Sequence, residues 1–322
     1  MTTNCNTIAL ERGALRQQDI RIEHERRVTA IVWSPLSVWP DSRRSIASAD
    51  AGGVVLVTDL ERGKTHAHLV HHDAVCQLSW SPDTTTLAAA CYDGSVQVWH
   101  TRDWSRGVTY RKHTYRGMPA AVRGVSYSRD GRYLASCSDD QTVRIWDAFT
   151  GETMLRYYRG HSHAVTAVAW SPDGTTVASG DSSGVVRVWD AVTGQTRLSY
   201  QGHKARVAAL AWSTSGYGLV TASWDGTVQV WVAHTGETRL SYRGLPWHGE
   251  SLCRKWLGMA IAPGGARIAS AGERQPVQIW EEHTGRLIAT CGEGAAEVSA
   301  LAWSPDGRFI AASAGEKAVR VW

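Results

Sequence analysis

One interval recurs along this chain. The pairs Trp80 and Trp99, Tyr127 and Trp146, Trp170 and Trp189, Trp212 and Trp231, Ile261 and Trp280, and Trp303 and Trp322 each stand nineteen residues apart. A seventh pair, Trp33 and Thr58, is six residues wider, and an insertion at residues 35–44 accounts for the difference. A fixed period of about 40 residues built from short apolar runs and turns specifies a repeat architecture. It also narrows function, because bodies of this kind more often bind partners than perform chemistry.

The unit around Trp170 shows what is repeated. Apolar residues recur with period two through 164–170, which reads as a half-buried strand. Ser171, Pro172, Asp173 and Gly174 form a turn, with proline presetting φ and glycine tolerating positive φ. A second strand is predicted at 175–179, a turn at 181–184, a third strand at 185–189 and a more polar fourth strand at 196–200. Four such strands make one twisted sheet that cannot bury both of its faces alone.

Gly160-His161 opens this unit and Trp189-Asp190 closes its third strand. Ile145-Trp146-Asp147 and Gly202-His203 carry the same signature. These dipeptides, with the spacing and the turn motif, resemble the WD40 repeat over essentially the whole chain beyond its N-terminal tail. The resemblance implies an all-β fold: a seven-bladed β-propeller of four-stranded antiparallel blades around a central channel. Residues 1–13 read as a polar tail and 14–322 as the single propeller. The last unit ends at its third strand, and residues 15–23, including Asp19, Ile20, Arg21 and Ile22, alternate like a strand before the first unit. This N-terminal segment is therefore expected to supply the outer strand of the last blade and close the ring.

Bulk properties exclude several classes. A formal charge of +4 over 322 residues is small for a dedicated nucleic-acid binder. No apolar run of membrane-spanning length occurs, and the first residues lack the apolar core of a signal peptide. The six cysteines, Cys5, Cys76, Cys91, Cys137, Cys253 and Cys291, form no C-x-x-C pair and read as reduced thiols of a cytoplasmic protein.

The resemblance also implies a hydrogen-bonded quartet in each blade: the His of Gly-His, a Ser or Thr on the second strand, an Asp in the next turn and the Trp of the third strand. His203, Thr221, Asp225 and Trp231 fit all four places. His161, Ser179 and Trp189 fit three, with Ser183 at the Asp place. His71, Asp93 and Trp99 fit with Ala89 at the hydroxyl place, and Ser136, Asp140 and Trp146 fit with Met118 for His. A catalytic His–Ser–Asp set would be singular and would need an oxyanion hole, whereas this one is repeated and decays around the ring. The reading is structural, and no catalytic residue, metal ligand or cofactor is expected. His66 and His68 share a strand face, a legal metal geometry, but on an outer, solvent-facing strand. Glycine pairs such as Gly292 and Gly294 lie in turns rather than in a phosphate-binding strand-to-helix loop.

Eleven of the sixteen tryptophans occupy repeating strand places; Trp39, Trp104, Trp224, Trp247 and Trp256 do not. By resemblance, loops entering the first strand and loops between the second and third strands share one rim. Trp224 lies in such a loop of the fifth unit, and Trp247 and Trp256 lie in the long loop entering the sixth, beside Arg254 and Lys255. The residues preceding each first strand, Arg27, Ala74, Ala121, Ala164, Arg206, Lys255 and Glu297, should ring the channel mouth. One reading is that Trp224, Trp247, Trp256, Arg206, Arg254 and Lys255, with Arg27 nearby, hold an acidic peptide or an acidic protein face. The other is that the long loop folds its own tryptophans onto the sixth blade. Trp39, with Arg43 and Arg44, and Trp104 should map to the opposite rim, a second docking candidate.

The leading function is a non-catalytic protein- or peptide-binding scaffold or sensor, either a monomeric body or a part of a larger assembly. Nucleic-acid binding through basic rim residues is the alternative, recognisable by steep salt dependence. A propeller enzyme is a further alternative, and no singular acid, base and nucleophile support it.

Overall fold

In the computed structural model, residues 3–4, 20–35, 44–110, 114–115, 117–243, 256–272, 275–291, 297–314 and 317–322 are described. Trp39, Arg43, Trp247, Arg254, Lys255 and residues 15–19 lie outside them.

Seven antiparallel sheets follow one another around a ring, each ordered from an inner to an outer strand. Blade one is Val28–Trp33, Ser45–Asp50, Val54–Asp59 and Lys64–Val70. Blades two to six begin at Val75, Val122, Val165, Val207 and Trp256. Blade seven is assembled from both ends of the chain. Leu301–Trp303, Ile310–Ala314 and Ala318–Val321 supply its inner strands, and Arg21–Glu23 adds the outer one, pairing Arg21 with Arg320, Ile22 with Val319 and Glu23 with Ala318. The expected closure is present. Blade six carries one addition to the four-stranded plan, Thr3–Asn4 paired in parallel with Leu287–Cys291.

The alternating pattern explains the packing. Second strands such as Ser45–Asp50, Thr176–Asp181 and Gly218–Ser223 are buried along their whole length, because a neighbouring blade covers each face. Clusters of buried side chains therefore span pairs of blades. One joins Val143 and Ile145 of blade three to Val168 and Trp170 of blade four, and another joins Val186 and Val188 of blade four to Val207 and Trp231 of blade five. The ring closes through Ile22, Val28, Ile31, Ala300 and Val319.

Polar contacts between inner strands set the blade-to-blade register. Trp33, Trp212 and Trp303 donate their indole N–H to Ala302, Ala169 and Ala260 of the preceding blade at 3.1–3.2 Å. The Thr166 hydroxyl donates to the Val207 carbonyl at 2.5 Å, and the Ser299 hydroxyl to the Val28 carbonyl at 2.6 Å. These hydroxyls, with Gln77 and Arg123, line the channel.

Glycine is required where blades approach most closely. Gly184 has φ +96°, and an added Cβ would lie 2.6 Å from the His203 carbonyl oxygen at the entry of the next blade. At Gly160 a Cβ would meet the Trp189 ring at 2.5 Å, which is why glycine precedes the histidine there.

Candidate functional site

Two kinds of polar constellation emerge, one inside the blades and one on the rim. In blade four the indole N–H of Trp189 donates to Ser179 Oγ at 2.7 Å, Ser179 Oγ lies 2.8 Å from His161 Nε2, and His161 Nδ1 lies 2.7 Å from Asp181 Oδ2. The donors run in one direction if His161 carries its proton on Nδ1, a tautomer assigned from this network. The acidic member is Asp181, not the place of Ser183. Asp181 Oδ1 meanwhile accepts from the Ser183 amide at 2.9 Å and the Ser183 hydroxyl at 2.6 Å, so one carboxylate anchors both the histidine and the turn. Burial pushes its carboxyl up, but the bonds from His161 and Ser183 outweigh burial and hold it below the usual value.

Blade five has the expected set. His203 lies 2.8 Å from Thr221 and 3.0 Å from Asp225, while Trp231 donates to Thr221 at 3.4 Å. Blade one carries a set that the interval count missed: His24 lies 2.8 Å from Ser48 and 3.2 Å from Asp50, with Thr58 at the tryptophan place. The signal was available, since His24 precedes Val28 by the same four residues that separate His161 from Val165.

Blade two adapts to the missing hydroxyl at Ala89. The Trp99 N–H goes directly to His71 Nε2 at 3.3 Å, and Cys91 Sγ lies 3.4 Å from His71 Nδ1. Burial, then the nearby Arg106 charge, lowers the His71 pKa to about 4. Blade three, without a histidine, keeps the Trp146 to Ser136 bond at 2.8 Å and pairs Asp140 with buried Arg144 at 2.9 Å. Ser179 and Thr221 are fully buried and engaged by an indole, so these arrays tie strands together and present no hydroxyl to a substrate.

The cysteines depart from the sequence reading at one place. Cys76, Cys91 and Cys137 are free thiols, whereas Cys291 is disulfide-bonded, with its partner outside the described residues. His66 and His68 are exposed, as expected of an outer strand, and no metal-competent cluster occurs among the described residues.

The rim is built by one repeated hydrogen bond. The turn between second and third strands returns its amide to the carbonyl at the inner-strand entry: Ala51 to Arg27, Tyr92 to Ala74, Asp139 to Ala121, Ser182 to Ala164 and Trp224 to Arg206, at 2.8–3.0 Å. Two concentric rows of side chains therefore face the channel mouth in equivalent places. In blade five these rows bring Arg206 and Trp224 together, with the guanidinium carbon 5.0 Å from the ring centroid. Trp224 remains 36% exposed, high for a ring of its size. Arg206 is half-buried. No described residue places a carboxylate within ion-pair distance of it, and burial first, then the Arg123 charge, lowers its pKa.

The other expected site residues divide. Arg27 is ion-paired with Glu297, so two members of the mouth row neutralise each other. Trp256 is the first residue of the inner strand of blade six rather than part of a loop, because its backbone already pairs with Gly272. On the opposite rim, Trp104 turns inward, with its ring 6.1 Å from Trp80 and 5.6 Å from His66, packed beside the core shared by blades one and two. Arg44 is held by Asp306 at 3.0 Å and lies over Phe309.

The fold and these networks define a β-propeller whose recurring polar residues are internal and whose unrepeated ones lie on the rims. The chain belongs to the WD40 family: the profile described as "WD domain, G-beta repeat" matches residues 63–100, 109–147, 152–190, 194–232 and 274–322, well over half of the chain. Among curated relatives, it is similar to a protein of Candida glabrata named "Probable cytosolic iron-sulfur protein assembly protein 1", with 28% identity over 38% of this chain and 38% of that protein. It is also similar to "F-box-like/WD repeat-containing protein TBL1X" of Mus musculus, with 28% identity over 42% of the chain and 26% of the relative. "COMPASS component SWD3" of Saccharomyces cerevisiae matches with 33% identity over 31% of the chain and 30% of the relative. Each alignment thus spans well under half of the relative. No helix among the described residues is long and apolar enough to cross a membrane.

Proposed function

We propose that this protein is a protein-interaction scaffold that docks an acidic segment of its partner at the channel mouth, on Arg206 and Trp224. The carrying observation is the half-buried Arg206 guanidinium, stacked on a partly exposed indole and lacking a carboxylate partner among the described residues. A guanidinium whose face is covered by a ring still presents its N–H edge, which matches a carboxylate in bidentate geometry. A rigid ring carrying varied rim residues suits recognition better than chemistry. The names of the relatives, one an assembly protein and one a COMPASS component, are in keeping with a role among protein partners. Lys255 and Arg254, next in sequence to the inner strand of blade six, belong to the same proposal as additional cations.

The test is fluorescence anisotropy with labelled acidic peptides and their amide counterparts. Arg206→Gln and Trp224→Ala should each weaken acidic-peptide binding at least about tenfold while shifting Tm by no more than a few degrees. Unchanged binding in both variants would overturn the reading. A collapse of Tm in Trp224→Ala would instead mark the tryptophan as packing.

A further inference from the structure

Two guanidinium–ring stacks flank blade four at the channel mouth, and they differ in one respect. Arg206 of blade five lies over Trp224 with its N–H edge unclaimed by any described carboxylate. Arg123 of blade three lies over Tyr92 with its guanidinium carbon 4.9 Å from the ring centroid. Its Nε and Nη2 donate to the two oxygens of Asp139 at 2.9 and 2.6 Å. Between the stacks, blade four offers only Ala164 and Ser182 at the equivalent rim places, so the wall separating them is low. The three charges share one electrostatic neighbourhood. Arg123 acts against the charge of Arg206, and Asp139 acts in its favour.

Resting on the reading that this rim takes an acidic segment, we propose that Asp139 is a built-in stand-in for the partner's carboxylate and that Arg123 is the second arginine of the site. The Asp139 side chain occupies Arg123 in the bidentate geometry that a glutamate or aspartate of the partner would use. Both members stay partly open to solvent, with side-chain exposures of 23% for Arg123 and 31% for Asp139, so an incoming carboxylate can compete for the fork. The charge of Arg206, which no described carboxylate pairs, draws the acidic segment in over Ala164 and Ser182. Exchange at Arg123 then sets how tightly it is held. Asp139 thereby restrains affinity and raises the threshold for weakly acidic competitors. Of the mouth-row cations, Arg27 has a comparable internal carboxylate in Glu297, but no guanidinium–ring stack is found beside it among the described residues.

The experiment measures anisotropy of a fluorescein-labelled hexaglutamate peptide, with hexaglutamine as control, at low ionic strength. A pair that only props up the fold would lose affinity whichever member is removed. The stand-in behaves otherwise. Asp139→Ser, which installs the residue type of blade four, should tighten hexaglutamate binding about tenfold. Arg123→Gln should weaken it several-fold, because Asp139 is left bare beside Arg206. The double variant should return close to wild type. Should the serine variant melt below the assay temperature, Asp139→Asn takes its place. If Asp139→Ser leaves affinity unchanged, or moves it the same way as Arg123→Gln, while Arg206→Gln still weakens binding, this inference falls and the docking reading stands. If Arg206→Gln has no effect, if hexaglutamine binds equally well, or if no form binds hexaglutamate, both fall together.

Discussion

Nδ1 of His161 sits 2.7 Å from the carboxylate of Asp181, the residue that ends the second strand of blade four and holds the turn after it. One acid thus couples the entry of the blade to its second turn. Asp50 does the same in blade one through Gly52 and Val54, and Asp225 in blade five through Lys204 and Thr227. Replacing Asp181 or Asp225 by alanine leaves buried donors without an acceptor and should cost about 1–3 kcal/mol, read from urea unfolding midpoints. Ser183→Ala, at the place where the sequence pattern put the acid, should change stability by no more than about 0.5–1 kcal/mol.

The same chemistry makes the protein acid-sensitive in a definable window. His71 accepts the Trp99 N–H at Nε2, so protonating that nitrogen would set two donors against each other. Its folded pKa is about 4, below the ordinary histidine value of about 6.5. Between those values the unfolded chain binds a proton that the folded chain refuses. Stability from this group is therefore complete above about pH 6.5 and falls as the pH drops toward 4, by about 3 kcal/mol. Burial lowers the pKa of His24 in the same direction, and the depressed carboxyls of Asp181 and Asp225 add a further loss at still lower pH. Urea midpoints at pH 7.5 and 4.5 should show the drop. His71→Leu should lower stability at pH 7.5 yet shrink the difference between the two pH values.

Ring closure can be tested apart from the histidine networks, because Arg21–Glu23 ends one residue before His24. Deleting residues 1–23 removes the outer strand of blade seven and exposes Val319 and Ala318, whereas deleting residues 1–19 leaves that strand in place. The longer deletion should lower Tm markedly and the shorter one little. Ile22→Ala, at a core position with 5% exposure, should cost about 2–5 kcal/mol. Equal melting of the two truncations would show that the shared sheet does not stabilise the ring.

The ring was legible because a nineteen-residue interval between a first-strand and a third-strand residue, both in register with one second-strand residue, survives wherever the third-strand residue is a tryptophan. His24 escaped for a local reason. An insertion widens its unit and Thr58 replaces the tryptophan, so the marker used for counting is missing even though the histidine is in register. Asp181 escaped because a side chain at a strand end can turn forward to its own loop or back to the blade entry, and only the folded geometry chooses. On the rim, residue type singled out Arg206 and Trp224, but their stack depends on a hairpin register joining residues eighteen apart. The hold of Asp139 on Arg123 crosses sixteen residues in the same way and left no mark in the spacing.

Two equivalent tyrosines give the last prediction. Tyr200, on the outer strand of blade four, stacks on Trp231 with ring centroids 4.5 Å apart, and its hydroxyl reaches Gln229 and Thr238, the latter at 2.8 Å. Tyr242, on the outer strand of blade five, packs against Trp280 at 4.8 Å, but Leu287 stands at the register place of Thr238 and the buried Tyr242 hydroxyl has no hydrogen-bond partner among the described residues. The aromatic contact is alike at both sites, so the hydroxyl is the variable. Tyr200→Phe should destabilise by about 1 kcal/mol, since it leaves Gln229 Oε1 short of a donor and the Thr238 hydroxyl short of an acceptor. Tyr242→Phe should be neutral or should raise stability, because it removes a polar atom that pays for desolvation without a bond. Equal losses in both variants by chemical denaturation would mean that Tyr242 finds an acceptor in solution. A lower Tyr200 cost than Tyr242 cost would reverse the assignment of which blade interface is polar and which is dry.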